Sequence, residues 1–496
     1  MGTRSSRRGM KFREPPIFER GSKGRVGHAL QSGAHATIDE LPEKFRRSSP
    51  PLWPEVSEVE AVRHFTRLSQ WNYGIDLGMY PLGSCTMKFN PRVNEEMARL
   101  AGFAHLHPYA PVSMCQGALE LMARLEGQLS EISGMDSISL QPAAGAQGEF
   151  SGMRMIRQRL AERRETGRNR VLIPDTAHGT NPASCALNSF EVVTVQSGER
   201  GILTVDDVRR HLDDRVAALM MTNPNTLGLF EEDVSKIADL LHEHGAYLYC
   251  DGANMNALLG RARPGDMGVD VMQFNLHKTF STPHGGGGPG SGPIGVSSEL
   301  TPFLPIPRIV REGDQWGLDY DRSQSIGQVK AFYGNFGMFV RAYTYIRELG
   351  AEGLRKVSDM AVLNANYVRV KLSDSYYVPF DRACLHECVV TDKWQLKDTG
   401  VKTLDIAKRL IDYGYHPPTV YFPLCVHGAI MIEPTECESR ETLDEFIEAM
   451  KSIASEASTT PDVLRDAPTL PVVGRMDETR AARHPILRWE ADGHEG

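Results

Sequence analysis

Val216-Ala217-Ala218-Leu219-Met220-Met221, residues 231–244 and Tyr247-Leu248-Tyr249-Cys250-Asp251 read in succession as a buried strand, an amphipathic helix and a second buried strand. The middle segment carries Val234, Ile237, Leu240 and Leu241 on one helical face, with Gly245 placed to stop it. Working outward, Val171-Leu172-Ile173 and Val192-Val193-Thr194-Val195 are further strand candidates, and Ile138-Ser139-Leu140 is a short one. Helical patterns cover residues 118–133, closed by Gly134, and 149–160. Strands alternating with helices predict a mainly parallel sheet with helices on both faces, the α/β class. Ligands of such sheets bind at the carboxyl ends of the strands.

Beyond residue 330 the pattern changes to helices at 331–349 and 361–372, a strand at 387–390, a helix at 404–411 and a strand at 429–433. That is the signature of a smaller α+β domain. The expected organisation is an extended N-terminal arm (1–60), a large α/β domain (61–330), the small domain (331–460) and a C-terminal arm (461–496).

The 496 residues hold 55 Lys plus Arg against 63 Asp plus Glu, a net charge of −8, which argues against a nucleic-acid-binding protein. With 41% hydrophobic and 24% charged residues the chain has ordinary globular composition. No apolar run approaches the roughly 20 residues of a membrane span. The eight cysteines are scattered, and the start lacks an apolar signal core, so a cytoplasmic location is expected. Met1-Gly2-Thr3-Arg4-Ser5-Ser6 fits a loose acylation pattern, but a plain arm is the better reading.

Asp251 and Lys278 are 27 positions apart, and each follows a strand candidate. Singly, either is a common strand-end residue. Together, and followed by small residues that admit a ligand, they suit pyridoxal phosphate, which needs a carboxylate at its pyridinium nitrogen and an amine for its aldehyde. The loop Pro142-Ala143-Ala144-Gly145-Ala146-Gln147-Gly148 leads from strand to helix and could offer N–H groups to a phosphate. His178 lies past another strand, where an imidazole could stack on a ring. Asn223 follows the Val216 strand and could reach the phenolic oxygen. The cofactor set is therefore Lys278, Asp251, His178, Ala144, Gly145, Ala146, Asn223, Ala253 and His277, with Lys278, His178 and Asp251 as the catalytic residues.

The glycine run at 285–292 lacks a following helix, so a dinucleotide loop is a poor reading. Cys384-x-His386-x-Cys388 has no second pair at finger spacing and His242-x-His244 separates its side chains on a helix, so no metal set is assigned.

Three stretches carry a family resemblance along nearly the whole chain: Tyr80-Pro81-Leu82-Gly83-Ser84-Cys85-Thr86-Met87-Lys88-Phe89-Asn90-Pro91, Asp175-Thr176-Ala177-His178-Gly179-Thr180-Asn181-Pro182, and His277-Lys278-Thr279-Phe280-Ser281-Thr282-Pro283-His284. The chain resembles the glycine dehydrogenase (decarboxylating) P-proteins of the glycine cleavage system, in particular subunit 2 of the split form. The resemblance implies the fold type I, aspartate-aminotransferase-like architecture, pyridoxal 5'-phosphate on Lys278, His178 against its ring and Asp251 at its nitrogen. It also implies glycine as substrate, a P-protein subunit 1 partner in a hetero-oligomer such as a heterotetramer, and a lipoylated H-protein that receives the aminomethyl group. A different fold type I enzyme, such as an aminotransferase, is the alternative, although no Arg clamp for a substrate carboxylate can be assigned.

Overall fold

The computed structural model of the protein describes residues 14–27, 41–49, 51–285 and 290–489. The acylation-like start and residues 286–289 of the glycine run lie outside them.

Seven strands form the central sheet: β1 (Ser137–Ser139), β2 (Arg170–Pro174), β3 (Glu191–Val195), β4 (Val216–Thr222), β5 (Tyr247–Gly252), β6 (Val271–Phe274) and β7 (Ile294–Val296). Their order is β1-β7-β6-β5-β4-β2-β3. Neighbours from β3 to β6 are parallel, whereas β7 runs antiparallel to both β6 and β1. Residues of β4 and β5 are buried throughout, as expected when both faces of a parallel sheet are covered. Alternation along the strands divides them between two cores. Leu172, Leu219, Met221, Leu248 and Cys250 pack with the helices Gln116–Ser133 and Val234–Glu243. Val171, Ile173, Ala218, Met220, Tyr247 and Tyr249 pack with the helix Gly145–Glu162.

Two glycines let that last helix lie close to the sheet. A Cβ on Gly152 would sit 2.5 Å from the Tyr249 ring, and one on Gly148 would sit 2.8 Å from Gln273 Cβ. Gly134 caps Gln116–Ser133 in the left-handed region (φ 75°), so the cap and the helix stand as the sequence predicts.

A hairpin of β8 (Arg308–Glu312) and β9 (Gln315–Asp319) follows, and the sequence reading did not anticipate it. The two helices expected at 331–349 and 361–372 lie within Phe336–Leu372 and are separated by a kink at Gly350 (φ 62°), so the first ends where expected and the second begins about ten residues earlier. Its C-terminal half packs with the helices Thr403–Asp412 and Arg440–Thr459 in a second core around β10 (Cys388–Thr391), β11 (Thr419–Val420) and β12 (Ala429–Ile432), an antiparallel sheet of order β10-β12-β11. Residues 80–90 run between the two bodies: Leu82 bridges to Ile432, and Asn90 Nδ2 donates to Ser281 O (2.9 Å). Among the described residues no helix is long and apolar enough to cross a membrane.

Candidate active site

The sheet topology points β1, β2, β4, β5 and β6 the same way, so the loops after them share one edge. Every residue singled out from the sequence lies at that edge. Asp251 is the penultimate residue of β5 and Ala253 follows it, Asn223 follows β4, His277 and Lys278 follow β6, and His178 follows β2. Ala144 is the N-cap of Gly145–Glu162 and provides no side-chain acceptor, leaving the first-turn N–H groups around Gly145 and Ala146 without partners inside the helix.

Asp251 is buried, and its carboxylate is held from three sides. Asn181 Nδ2 donates to Oδ2 (3.1 Å), the Ala253 N–H donates to Oδ1 (2.9 Å), and Gln273 Nε2 donates to Oδ1. Gln273 in turn accepts from the Tyr249 hydroxyl (2.5 Å). Behind Asp251 lies Glu149, which the sequence reading treated only as the start of a helix. Its carboxylate accepts from the Thr180 hydroxyl (2.8 Å), Asn181 Nδ2 (3.1 Å) and the Ser184 hydroxyl (3.2 Å). Burial, reinforced by the charge of Asp251, pushes the Glu149 carboxyl up to about 7. Thr180 completes the network, since its N–H donates to His178 Nδ1 (3.3 Å) and its hydroxyl lies 2.9 Å from the same atom. Burial holds His178 below the usual imidazole range, with Asp251 pulling up and Lys278 pushing down.

Lys278 is only 9% exposed, and its Nζ donates to the carbonyl of Ser84 (2.9 Å). His277 Nδ1 accepts from the Ser291 N–H (3.1 Å), and burial together with His284 and Lys278 drives this imidazole down to about 3. It is therefore neutral at physiological pH. Asn223 Oδ1 accepts from the Glu231 N–H (3.0 Å), while its Nδ2 has no partner.

The family description "Glycine dehydrogenase, C-terminal domain" matches residues 357–469, and class-V aminotransferases match residues 147–287. The chain is 57% identical to the probable glycine dehydrogenase (decarboxylating) subunit 2 of Halalkalibacterium halodurans, over 96% of this chain and 98% of that one. It belongs to the glycine dehydrogenase (decarboxylating) subunit 2 family. The Oceanobacillus iheyensis member is 55% identical with the same coverage. Among solved structures, a glycine decarboxylase (P-protein) in inhibitor-bound form superposes with a TM-score of 0.70 at 20% identity, covering 84% of this chain and 95% of that one. Oryza sativa TDC with PLP and tryptamine gives 0.64 at 12% identity, covering 83% and 90%. The fold is thus the fold type I architecture expected from the sequence.

Within this subdivision of the family, the residues present fit pyridoxal phosphate. Buried polar atoms without partners stand along the same loops: Asn223 Nδ2, Asn275 Oδ1, Thr279 Oγ1 and Ser291 Oγ. Native proteins rarely leave such atoms unsatisfied unless something binds there. Gly292 approaches Ala144 so closely that a Cβ would lie 2.0 Å from the Ala144 carbonyl oxygen, which keeps the glycine-rich wall tight against the helix N-terminus.

Proposed function

We propose that this chain is the subunit of a split glycine dehydrogenase that binds pyridoxal 5'-phosphate and decarboxylates glycine, passing the aminomethyl group to the lipoyl arm of an H-protein. The observation that carries the reading is the meeting of Lys278, Asp251 and His178 at the carboxyl ends of β6, β5 and β2, beside an uncapped helix N-terminus. When bound, the cofactor supplies an electron sink for the pair left behind as carbon dioxide departs.

The protein's own residues do the rest. Lys278 is the amine that holds the cofactor until glycine arrives. Asp251, fixed by Asn181, Ala253 and Gln273, would hold a proton on the ring nitrogen, and His178, aimed by Thr180, would lie against the ring. The first-turn N–H groups at Gly145 and Ala146 would take the phosphate, favoured by the helix dipole, and Asn223 Nδ2 is free to reach the phenolic oxygen. Ala253 acts through Asp251, since its N–H is already given to that carboxylate. His277, neutral and tied to Ser291, lines the wall beside Lys278. Transfer to the lipoyl disulfide forms a carbon–sulfur bond and leaves the second sulfur as a thiol, so the reaction is an oxidation of glycine. A subunit 1 chain completes the assembly.

The test is borohydride reduction of the protein purified with its partner chain, followed by peptide mapping and by assay of glycine–bicarbonate exchange with lipoylated H-protein. The pyridoxyl label is expected on Lys278, and exchange is expected only with the partner present. A label on another lysine overturns the assignment.

A further inference from the structure

Within reach of the Lys278 charge, the small domain contributes a second buried acidic cluster. Glu387 precedes β10 and Glu433 follows β12, and the antiparallel register that pairs Cys388 with Ile432 sets the two side by side. Both side chains are fully buried, and their carboxylates lie with a His386 ring nitrogen within 4.8 Å of one another. Glu387 Oε2 accepts the Ser84 N–H (2.7 Å), and the Ser84 carbonyl is the group that holds Lys278 Nζ, so a single residue, Ser84, links the pair to the lysine. Glu387 Oε1, both oxygens of Glu433 and both nitrogens of His386 make no hydrogen bond, although the Thr86 hydroxyl lies beside Glu433.

Two carboxylates cannot both stay ionised at such separation in a buried site. We propose that Glu387 and Glu433 hold one proton between them and take up the proton that an incoming substrate ammonium must lose before its nitrogen can displace Lys278. This rests on the reading of Lys278 given above. In the step, the substrate –NH3+ gives a proton to the ionised member of the pair. The neutral nitrogen would then form its bond to the cofactor carbon as that carbon's bond to Nζ breaks, its two remaining hydrogens passing to Nζ. The pair returns its proton to the freed lysine, so no proton is gained or lost overall.

The surroundings suit a borrowed proton. Burial pushes both carboxyls above their ordinary range; the charge of Glu433 raises Glu387 further and that of Glu436 raises Glu433, with Lys278 opposing at each. From the segment 80–90, Lys88 opposes the rise at Glu433, but it is already paired with Glu436 (2.7 Å), whose charge adds to it. Cys85 on that segment and Cys384 and Cys388 beside β10 all carry thiols pushed up by burial, hence uncharged. Burial and Lys278 hold His386 down at about 3, so it adds no positive charge. Lys278 is left as the partner in exchange.

The experiment compares two amines in stopped flow, reading the cofactor's visible absorption in the complete holoenzyme. Glycine arrives as an ammonium ion, whereas an alkoxyamine is already neutral at pH 7. Glu433→Gln and Glu387→Gln should each slow the glycine-dependent change by about 10²-fold, the scale of losing a positioned base. The alkoxyamine reaction should stay within about twofold of wild type. Equal slowing of both amines, or no slowing of glycine, overturns the proposal. If neither variant retains cofactor, the wild type decides. Without an internal acceptor the glycine-to-alkoxyamine rate ratio must rise about tenfold per pH unit from pH 6 to 9, following free glycine amine, and such a rise refutes the pair. A ratio that flattens supports it. Absence of a lysine-linked absorption band in the wild type would instead refute the assignment of Lys278.

Discussion

Glu149 and the Glu387–Glu433 pair are buried carboxylates contributed by the two bodies of the fold, yet they are built on opposite plans. Three side-chain donors converge on Glu149, and the same donors, Thr180 and Asn181, reach His178 and Asp251. Around Glu433 the Thr86 hydroxyl is the one neighbouring donor and makes no close hydrogen bond, and Glu387 has only the Ser84 N–H. A buried charge that is fully hydrogen-bonded fixes a geometry, while one left open is costly to the fold and is retained where something must come to it. The large-domain cluster therefore acts as a frame, and the cluster beneath the small domain acts as a site of exchange.

The largest effect should come from breaking the frame at its working end. Asp251→Asn keeps the shape but removes the charge that would face the ring nitrogen. Glycine–bicarbonate exchange is expected to fall by about 10²-fold or more, the loss seen when one preorganised electrostatic contact is removed from an active site, with cofactor absorption retained. Exchange at the wild-type rate would separate Asp251 from the chemistry.

The contrast itself is tested by Glu149→Leu against Glu433→Leu. The first leaves the Thr180, Asn181 and Ser184 donors facing an apolar group, and each buried donor so stranded costs about 1–3 kcal/mol. The second touches only the Thr86 hydroxyl, which makes no close hydrogen bond to Glu433, and removes a poorly partnered buried carboxyl, so the unfolding midpoint in urea should fall less than for Glu149→Leu. Equal destabilisation by both would abolish the distinction between frame and exchange site.

Much of this was legible in the sequence, and the limits have physical causes. The all-apolar runs of β4 and β5 and the strand-end positions of Asp251 and Lys278 follow from period and from the rule that parallel sheets bind at their carboxyl edge. β7 was missed because Ile294-Gly295-Val296 is three residues long and follows a glycine run, too short for any period to register. The break at Gly350 matches the end expected at 349, but the immediate resumption of helix over 351–360 was not read, because polar Glu352, Arg355, Lys356 and Asp359 blur the apolar period there. Glu149 carried a usable signal: it is a carboxylate on a helix face otherwise made of Gly145, Gly148, Ser151 and Gly152, where only a close-packed partner explains the small residues. Glu387 and Glu433 each ended a strand candidate, but their adjacency depends on the register of two strands over 40 residues apart, which no local pattern contains.

Acid–base behaviour offers a milder probe. Glu149 is held at about 7 in the folded protein, against about 4.5 when exposed, so the folded state binds the extra proton between those values. Its stabilising contribution is complete below pH 4.5 and is lost as pH rises through 7. The thermal midpoint of the cofactor-free protein should fall over this window relative to Glu149→Gln, which has no such proton, and the two curves should run parallel above it. A gap that widens with acidification below pH 4.5 instead would contradict the assignment.

The smallest effect should come from Ser184→Ala. Ser184 Oγ donates to Glu149 Oε2 at 3.2 Å, the longest of the three contacts, and Asn181 Nδ2 reaches the same oxygen at 3.1 Å. Removing the hydroxyl therefore leaves that oxygen bonded and vacates only the volume of one oxygen atom, so the loss should be that of one ordinary hydrogen bond, about 0.5–1.5 kcal/mol. His178 and Asp251 are reached through Thr180 and Asn181 rather than Ser184, so exchange activity should change by less than twofold. A much larger fall in activity would mean that the frame transmits strain from any of its members, and that the three donors to Glu149 cannot be treated as separate contacts.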